Sequence, residues 1–374
     1  MTEKSFVPNY KRIAETLRRR ILHGNYVIKP IPSERQLAEE FGVNYMTVRR
    51  SLRTLQKDQL LVRQPNGRMQ VKRIQQGAKD HLNFAFLMPT MFSYTLQLWR
   101  NAIERATSGR SCIVRPILYM HWDDPILIDS MEGFDGIFLS SVPEPLPEFI
   151  ADRLRQPQHP VVVVDHDFSN YGIPSVRIFP PVFVQMLLNH LESLGHTQIG
   201  CLNTQPEDSE VRERIEQWRL WMAIHRFSGR LVNSPVRAHG DPIPHAYEVM
   251  DKILDSEPNE TAWFCVTTPA AIGVMRALLD RGLMPGRDLA VCATNGERIA
   301  SMLNPPLTAL EEMDPTPFIT YCLDWMSAGG QAWQGPLLMQ PAQVALVIRE
   351  STQPGEGRGL LAGHRERKAR SASR

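Results

Sequence analysis

Residues 33–71 constrain the fold of this 374-residue chain most, because they carry start and stop signals for two short helices. Ser33 followed three residues later by Gln36 fits a capping box, in which the two side chains satisfy exposed N–H groups at a helix start. Gly42 suits the left-handed end of that helix, and Asn44 suits the N-cap of the next one. The stretch therefore predicts a helix, a tight turn and a second helix.

The two predicted helices are apolar on one face and polar on the other. Periodic spacing places these apolar residues inward: Leu37, Ala38, Phe41, Val48, Leu52 and Leu55. The outer face of the second helix is polar and basic: Tyr45, Thr47, Arg49, Arg50 and Arg53. This is the helix-turn-helix layout, whose second helix enters the major groove of DNA.

A β-hairpin is expected after the second helix. Asn66-Gly67 lies between two extended stretches, and both residues tolerate the positive φ angles of a tight hairpin turn. Basic residues flank this predicted wing and are suited to a phosphate backbone: Arg63, Arg68, Lys72 and Arg73. The alternative reading is a solvated helical hairpin without DNA affinity, since charge on a helix face is usually only a solvated face.

The charge of the chain is unevenly distributed. Residues 1–80 carry 17 Lys/Arg against 7 Asp/Glu, whereas residues 81–354 carry 19 against 31. The last 20 residues carry 6 against 2. A basic head on an acidic body directs polyanion binding to the head, and that binding should weaken steeply with salt.

Length, apolar runs, cysteine number and motif content limit the class of protein to which this chain can belong. The length suits two or three domains, and the absence of a long apolar run or signal-peptide core predicts a cytoplasmic protein without membrane contact. Five widely spaced cysteines favour reduced thiols over disulfides or a zinc site. We find no nucleophile elbow, P-loop or His-rich metal spacing, so we expect no enzymatic activity and no cofactor.

From residue 82 apolar strand-like runs alternate with helix-like stretches. Such a pattern predicts parallel sheets covered on both faces, with ligands bound beyond the carboxyl ends of the strands. We expect four regions: a winged-helix DNA-binding domain at 1–73, a polar linker at 74–81, an α/β body at 82–352, and a basic, disordered tail at 353–374.

Residues 10–73 resemble the winged-helix head of the GntR family of bacterial transcription regulators. The resemblance rests on Pro32-Ser33-Glu34-Arg35, Leu37-Ala38, Gly42-Val43, Thr47-Val48-Arg49, Leu60-Leu61 and Asn66-Gly67. It implies DNA contacts from the second helix and the wing, with these candidates: Arg35, Asn44, Tyr45, Thr47, Arg49, Arg50, Asn66, Gly67 and Arg68. Tyr45 stands where many members carry Arg, so the guanine contact of that Arg is in doubt. Asp58-Gln59 replaces the usual Glu-Gly, which suggests a different turn.

Residues 82–351 resemble the effector domain of the LacI/GalR family, which is built like a periplasmic sugar-binding protein. The resemblance rests on segments 160–165, 176–178, 190–200, 271–278, 288–291 and 305–308, and on Arg349-Glu350-Ser351. It implies two subdomains with parallel sheets. A GntR head on a LacI-type body is similar to the arabinose-repressor type of regulator.

The second resemblance also implies ligand-site residues. The candidates are Asp165, Arg214, Thr267, Asn295, Phe92 and Ser93, with Trp122 in a loop that can reach the cleft. Some of them have a structural alternative: Asp165 as a turn or helix cap, Arg214 as a surface partner of Glu210 or Glu213, and the aromatic residues as packing. Thr267-Thr268 and Asn295 stand where the family has Asn-Asp and Asp, so familiar sugar-gripping groups are missing.

The sequence thus predicts a homodimeric repressor that binds a double-stranded DNA operator and is controlled by a small-molecule effector, a sugar or sugar derivative. One alternative is a DNA-binding regulator whose body only dimerises or binds a non-sugar ligand. Another is an enzyme with a DNA-binding head, such as the aminotransferase-type GntR relatives. The short body, with Lys252 as its only lysine, disfavours it.

Overall fold

The computed structural model describes residues 8–22, 25–26, 29–65, 67–72, 82–91, 93–131, 133–155, 160–237 and 240–353. The predicted linker at 74–81 and all but the first residue of the predicted tail at 353–374 lie outside these ranges. Within them, the predicted mixed α/β fold with a winged-helix head is confirmed.

Three helices and a two-stranded hairpin form the head. Their bounds are α1 Asn9–Leu22, α2 Glu34–Phe41, α3 Tyr45–Lys57, β1 Leu61–Arg63 and β2 Met69–Val71. The inward faces share one apolar core, in which Leu17, Leu37 and Val48 are fully buried. The expected capping box is present at Ser33 and Gln36, and Gly42 adopts the left-handed conformation at the end of α2. The expected turn between α2 and α3 is therefore confirmed.

The turn before the wing contains the Asp58-Gln59 pair. Gln59 itself adopts the left-handed conformation (φ 57°) that glycine favours, and its side chain accepts a hydrogen bond from Lys72 at 3.0 Å. Asp58 pairs with Arg18 of α1. The two side chains tie this turn to the wing and to α1, and β1 pairs antiparallel with β2 as predicted.

The body begins with a parallel sheet whose strand order is β13-β7-β6-β5-β3-β4. Its elements are β3 Leu82–Pro89, α4 Tyr94–Thr107, β4 Cys112–Tyr119, α5 Pro125–Met131, β5 Gly136–Ser140, α6 Glu148–Leu154, β6 Val161–Val164, β7 Ser175–Val176, α12 Thr316–Ser327 and β13 Leu338–Met339. Helices α4 and α12 cover one face, and α5 and α6 cover the other. We call this unit the N-lobe.

The second unit, the C-lobe, contains a sheet of order β14-β12-β11-β10-β8-β9, in which only the β12–β14 pairing is antiparallel among the described strands. Its elements are α7 Val184–Ser193, β8 Ile199–Asn203, α8 Ser209–His225, β9 Leu231–Asn233, α9 Pro242–Asp255, β10 Ala262–Cys265, α10 Thr268–Asp280, β11 Ala290–Asn295, α11 Glu297–Ala300, β12 Thr308–Leu310 and β14 Leu346–Val347. Helices α7 and α8 pack on one face, and α9 and α10 on the other.

The chain passes between the lobes three times, at residues 177–183, 311–315 and 340–345, within the described part of the body. The last two passages enclose α12 and β13, which belong to the N-lobe although they follow the main part of the C-lobe in sequence. Among the described helices, none is long and apolar enough to cross a bilayer.

Candidate functional sites: a basic winged head and an interlobe cleft

The start of α3 presents most of the candidate DNA-contacting residues. The Asn44 side chain accepts from the backbone N–H of Met46 at 2.9 Å, so its amide oxygen is engaged in capping the helix. Tyr45 is 44% exposed, and a hydrogen bond to Glu34 raises the pKa of its hydroxyl. Thr47 and Arg49 are partly exposed one turn further on. These side chains form a continuous polar surface at the N-terminus of α3.

Two candidate arginines differ in their surroundings. Arg35 is exposed in the first turn of α2. The Arg50 guanidinium lies 4.0 Å from the centre of the Tyr10 ring, which orients it toward α1. Such cation–π contacts hold a cation against an aromatic face. Arg50 therefore helps to fix α3 against α1.

The tip of the wing is ordered by backbone contacts. Gly67 adopts a positive φ of 80°, and its carbonyl accepts from Arg63 Nε at 3.2 Å. The Gln64 N–H donates to the Arg68 carbonyl at 2.9 Å. The candidate Asn66 lies outside the described residues. Arg63 and Arg68 are thus presented on one exposed tip.

An open cavity lies between the two lobes and spans about 810 Å³ when the solvent at its mouth is included. It is lined by residues at the carboxyl ends of β3, β5, β6, β8, β10 and β11 and at the starts of α4, α8 and α10: Pro89, Met91, Ser93, Tyr94, Thr95, Leu96, Ser140, Ser141, Pro143, Asp165, His166, Gln205, Pro206, Asp208, Glu210, Val211, Arg214, Thr267, Pro269 and Asn295. This is the position at which open parallel sheets bind ligands.

The cavity brings together five of the six predicted ligand residues: Ser93, Asp165, Arg214, Thr267 and Asn295. Ser93 accepts from the Leu96 N–H at 3.4 Å and caps α4. The sixth, Phe92, lies outside the described residues. Trp122 does not line this cavity; it is buried against Tyr119 and Phe168, and its indole N–H donates to the Glu144 carbonyl.

Asp165 has a strained backbone. Its φ is +74°, and its N–H donates to the Val176 carbonyl at 2.8 Å. Positive φ at a non-glycine residue costs energy and is concentrated at functional sites. Burial raises the pKa of the Asp165 carboxyl, and nearby His166, Trp99 and Arg214 act in the opposite direction. The side chain therefore lines the cavity in a constrained conformation.

Arg214 is not the surface partner of an acidic neighbour. It is only 7% exposed, and its Nη1 donates to the Val266 carbonyl at 3.3 Å. The acids Glu210 and Glu213 instead pair with Arg177, at 3.4 and 3.2 Å. Arg214 is thus a buried cation in the wall of the cavity.

The sequence analysis did not identify a buried pair of charged side chains, His166 and Asp208, that connects the two lobes. His166 Nε2 lies 3.3 Å from Asp208 Oδ2. Burial lowers the pKa of His166, but the hydrogen bond and the charge of Asp208 outweigh burial and raise it to about 9. Burial alone would raise the pKa of Asp208; the contact with His166 reverses this and lowers it. His166 directly follows the predicted Asp165, so its place at a strand end was a usable signal.

Glu210 is a second residue that sequence reasoning did not assign to the cleft. Burial raises its pKa to about 7, against the charges of Arg214, Arg177 and His166. This carboxyl therefore gains and loses its proton near neutral pH.

Several buried polar atoms of the cavity residues have no hydrogen-bond partner within the described ranges. They are His166 Nδ1, Arg214 Nε, Thr267 Oγ1 and Asn295 Oδ1. Buried polar atoms are nearly always satisfied, so a cluster of unsatisfied ones around one cavity suggests a polar ligand.

Comparison with known proteins agrees with the two-part fold. Residues 9–71 match the family model of bacterial regulatory proteins of the gntR family, and residues 188–352 match the periplasmic binding protein-like domain. The chain is 29% identical over 171 residues to the transcriptional regulator GalR of Streptococcus thermophilus, covering 44% of this chain and 52% of GalR. It is 31% identical over 119 residues to the repressor PurR of Vibrio parahaemolyticus, covering 32% and 35%. The matches thus span about half or less of these relatives.

A solved structure shows the same body fold. The LacI family regulator of Enterococcus faecium, with bound ribose, aligns with a TM-score of 0.62 at 18% identity, covering 73% of this chain and all of that one. This chain therefore joins a winged-helix head that matches the gntR family model to a body that matches the periplasmic binding protein-like domain and is similar to GalR and PurR.

Proposed function

We propose that this protein is a cytoplasmic transcription regulator, a repressor, that binds operator DNA through its head and a small polar effector through the interlobe cleft. The observation that carries the proposal is the combination, on one chain, of a basic winged head and a two-lobed body with a polar cavity. The named relatives GalR and PurR are a transcriptional regulator and a transcriptional repressor.

DNA binding is assigned to the surface at the start of α3 and to the wing. In this proposal Arg49 contacts base edges, together with Thr47 and Tyr45. The remaining candidates contact the DNA backbone or position α3: Arg35, Asn44, Arg50, Asn66, Gly67 and Arg68. The N-terminal residues of a recognition helix make such base contacts. Two heads on a homodimer would bind a two-fold-related operator.

The effector is assigned to the class of carbohydrates and their derivatives. Asp165 and Asn295 offer acceptors to hydroxyl groups, and Arg214 and Thr267 offer donors, while Ser93 also lines the cavity. The E. faecium regulator, which has this fold, holds ribose. A ligand that binds one arrangement of the lobes more tightly shifts the body toward it, and so alters the spacing of the heads.

The DNA part is tested by selecting bound sequences from a random duplex library and titrating the selected duplex. Arg49→Ala should weaken binding by about 1–3 kcal/mol, the range for one specific base contact. The matched control is Arg276→Ala, which removes the same charge from a 69% exposed side chain on α10. If the two variants bind the duplex equally well, Arg49 does not contact DNA. If the selection yields no bound sequence, the proposal of DNA binding is refuted.

The effector part is tested separately by a thermal-unfolding screen of the whole protein against sugars and sugar derivatives. A ligand at about a hundred times its Kd adds roughly 2.7 kcal/mol to the stability. Asp165→Ala should abolish that increase. A screen in which no carbohydrate changes the Tm would refute the effector assignment and leave DNA binding intact.

A further inference from the structure

The His166–Asp208 pair joins the two lobes at the cavity. His166 follows β6 of the N-lobe, whereas Asp208 caps α8 of the C-lobe by accepting from the Val211 N–H at 2.8 Å. His166 is only 6% exposed, it lines the cavity, and its Nε2 is engaged by Asp208. Its Nδ1 has no partner in the described structure.

His166 is surrounded mainly by acids. Asp208, Asp165 and Glu210 all favour its charged form and raise its pKa to about 9, although burial acts against them. At neutral pH the ring therefore carries a proton on both nitrogens, and Nδ1 is a donor. A buried charged donor without an acceptor is costly, so a ligand oxygen at this position would be strongly favoured.

Most of the acids in the cavity wall are already engaged. Asp208 is held by His166, and Glu210 by Arg177. The ends of β10 and β11 contribute the neutral Thr267 and Asn295. This leaves two cationic donors without acceptors, His166 Nδ1 and Arg214 Nε, and both side chains lie near enough to Asp208 to lower its pKa.

We propose that the effector is an acidic sugar, whose carboxylate binds His166 and Arg214 while its hydroxyl groups donate to Asp165. This inference rests on the proposed effector-binding function. A carboxylate has two oxygens and one negative charge, which matches two free donors. A phosphate carries more negative charge and a third oxygen, which would need a further cationic partner. Among the described cavity residues, none besides His166 and Arg214 offers one. His166 is therefore the residue that sets specificity for the acid.

The test is isothermal titration of the whole protein near neutral pH with two acids and their neutral counterparts. The probes are D-galacturonate against D-galactose, and D-gluconate against D-glucitol, with D-glucose 6-phosphate as the phosphate arm. We expect at least one acid to bind roughly ten- to a hundredfold more tightly than its counterpart, the value of a charge-assisted hydrogen bond. A neutral sugar or the phosphate that binds as tightly as the acids, or the failure of both acids to bind, overturns the inference.

His166→Gln separates this role from a structural one, because glutamine retains a donor but has no charge. The substitution should weaken binding of the acidic sugar by about tenfold and leave the affinity for the neutral sugar unchanged. The control is His225→Gln, which alters the pair between His225 of α8 and Glu192 of α7, neither of which lines this cavity. Affinity of the wild type for the acid should fall as the pH rises through about 9, where His166 loses its proton.

Equal acid affinities for His166→Gln and wild type also overturn the inference. Failure of the proposed function is distinguishable from that result. Tight binding of a neutral sugar supports the proposed effector function and refutes only the inference that the effector is an acidic sugar. If no sugar binds, both the effector assignment and the acidic-sugar inference are refuted. A DNA titration of the same preparation tests the head independently.

Discussion

Replacing Asp208 by Asn should lower the stability of the body in a pH-dependent way. Asn caps helices about as well as Asp, so the N-terminus of α8 is retained while the charge opposite His166 is lost. The pKa of His166 in the folded protein is about 9, against an ordinary 6.5. Each unit of pKa is worth about 1.4 kcal/mol, so the raised pKa of His166 corresponds to roughly 3 kcal/mol. Asp208 is the largest favourable contributor to it, and Asp165 and Glu210 add to it.

The sign of the pH dependence follows from the raised pKa. A group that holds its proton more tightly when folded contributes its full stability below the unfolded pKa, and loses it as the pH rises through the folded pKa. The stability difference between wild type and Asp208→Asn should therefore be largest near pH 6, at up to about 3 kcal/mol, and fall below about 1 kcal/mol by pH 10. Glu210 also titrates near neutral pH, but it is present in both proteins.

Urea unfolding of both proteins across this pH range measures the difference. A ¹⁵N NMR titration, with the His166 signal assigned from a His166→Gln variant, measures the pKa directly. A stability difference that does not change with pH, or a His166 pKa at or below 6.5, would refute the reasoning.

Further variants test local features of the fold. Ser33→Ala removes half of the capping box and should destabilise the start of α2 by about 1 kcal/mol, read as faster amide exchange of that peptide by mass spectrometry; unchanged exchange would contradict the cap. Gly286→Ala should cost more than about 2 kcal/mol in urea unfolding, because a Cβ there would lie 1.9 Å from the Glu350 carbonyl oxygen at a φ of +87°. Arg276→Ala, which breaks an exposed pair with Asp280, should change the stability by less than about 0.5 kcal/mol; a larger loss would contradict the weak contribution expected of surface pairs.

The parts of the fold that sequence predicts are those with local causes. The capping box of Ser33 and Gln36, the left-handed Gly42 and the N-cap Asn44 each act over a few residues, and all three are present in the structure. The strands β3, β5, β6, β8, β10 and β11 are mostly apolar, and such apolar runs are the signal from which a parallel sheet was predicted.

The missed elements depend on distant partners. The two- and three-residue strands β7, β9 and β12 carry too few residues for a periodic signal, and they are extended because they pair with neighbouring strands. The same holds for the cleft, where Asp165 was predicted but His166 was not. The role of His166 follows from Asp208, which is 42 positions away and belongs to the other lobe.

The three passages between the lobes have a consequence for synthesis and truncation. The apolar face of α4 is completed by Ile319, Leu323 and Met326 of α12, and the edge of the N-lobe sheet by β13. A nascent chain that ends before α12 therefore leaves the apolar face of α4 exposed, even when β3 to β7 of the N-lobe have all been synthesised. Each lobe is built from two separate stretches of the chain, so neither lobe can be deleted or produced as one uninterrupted segment.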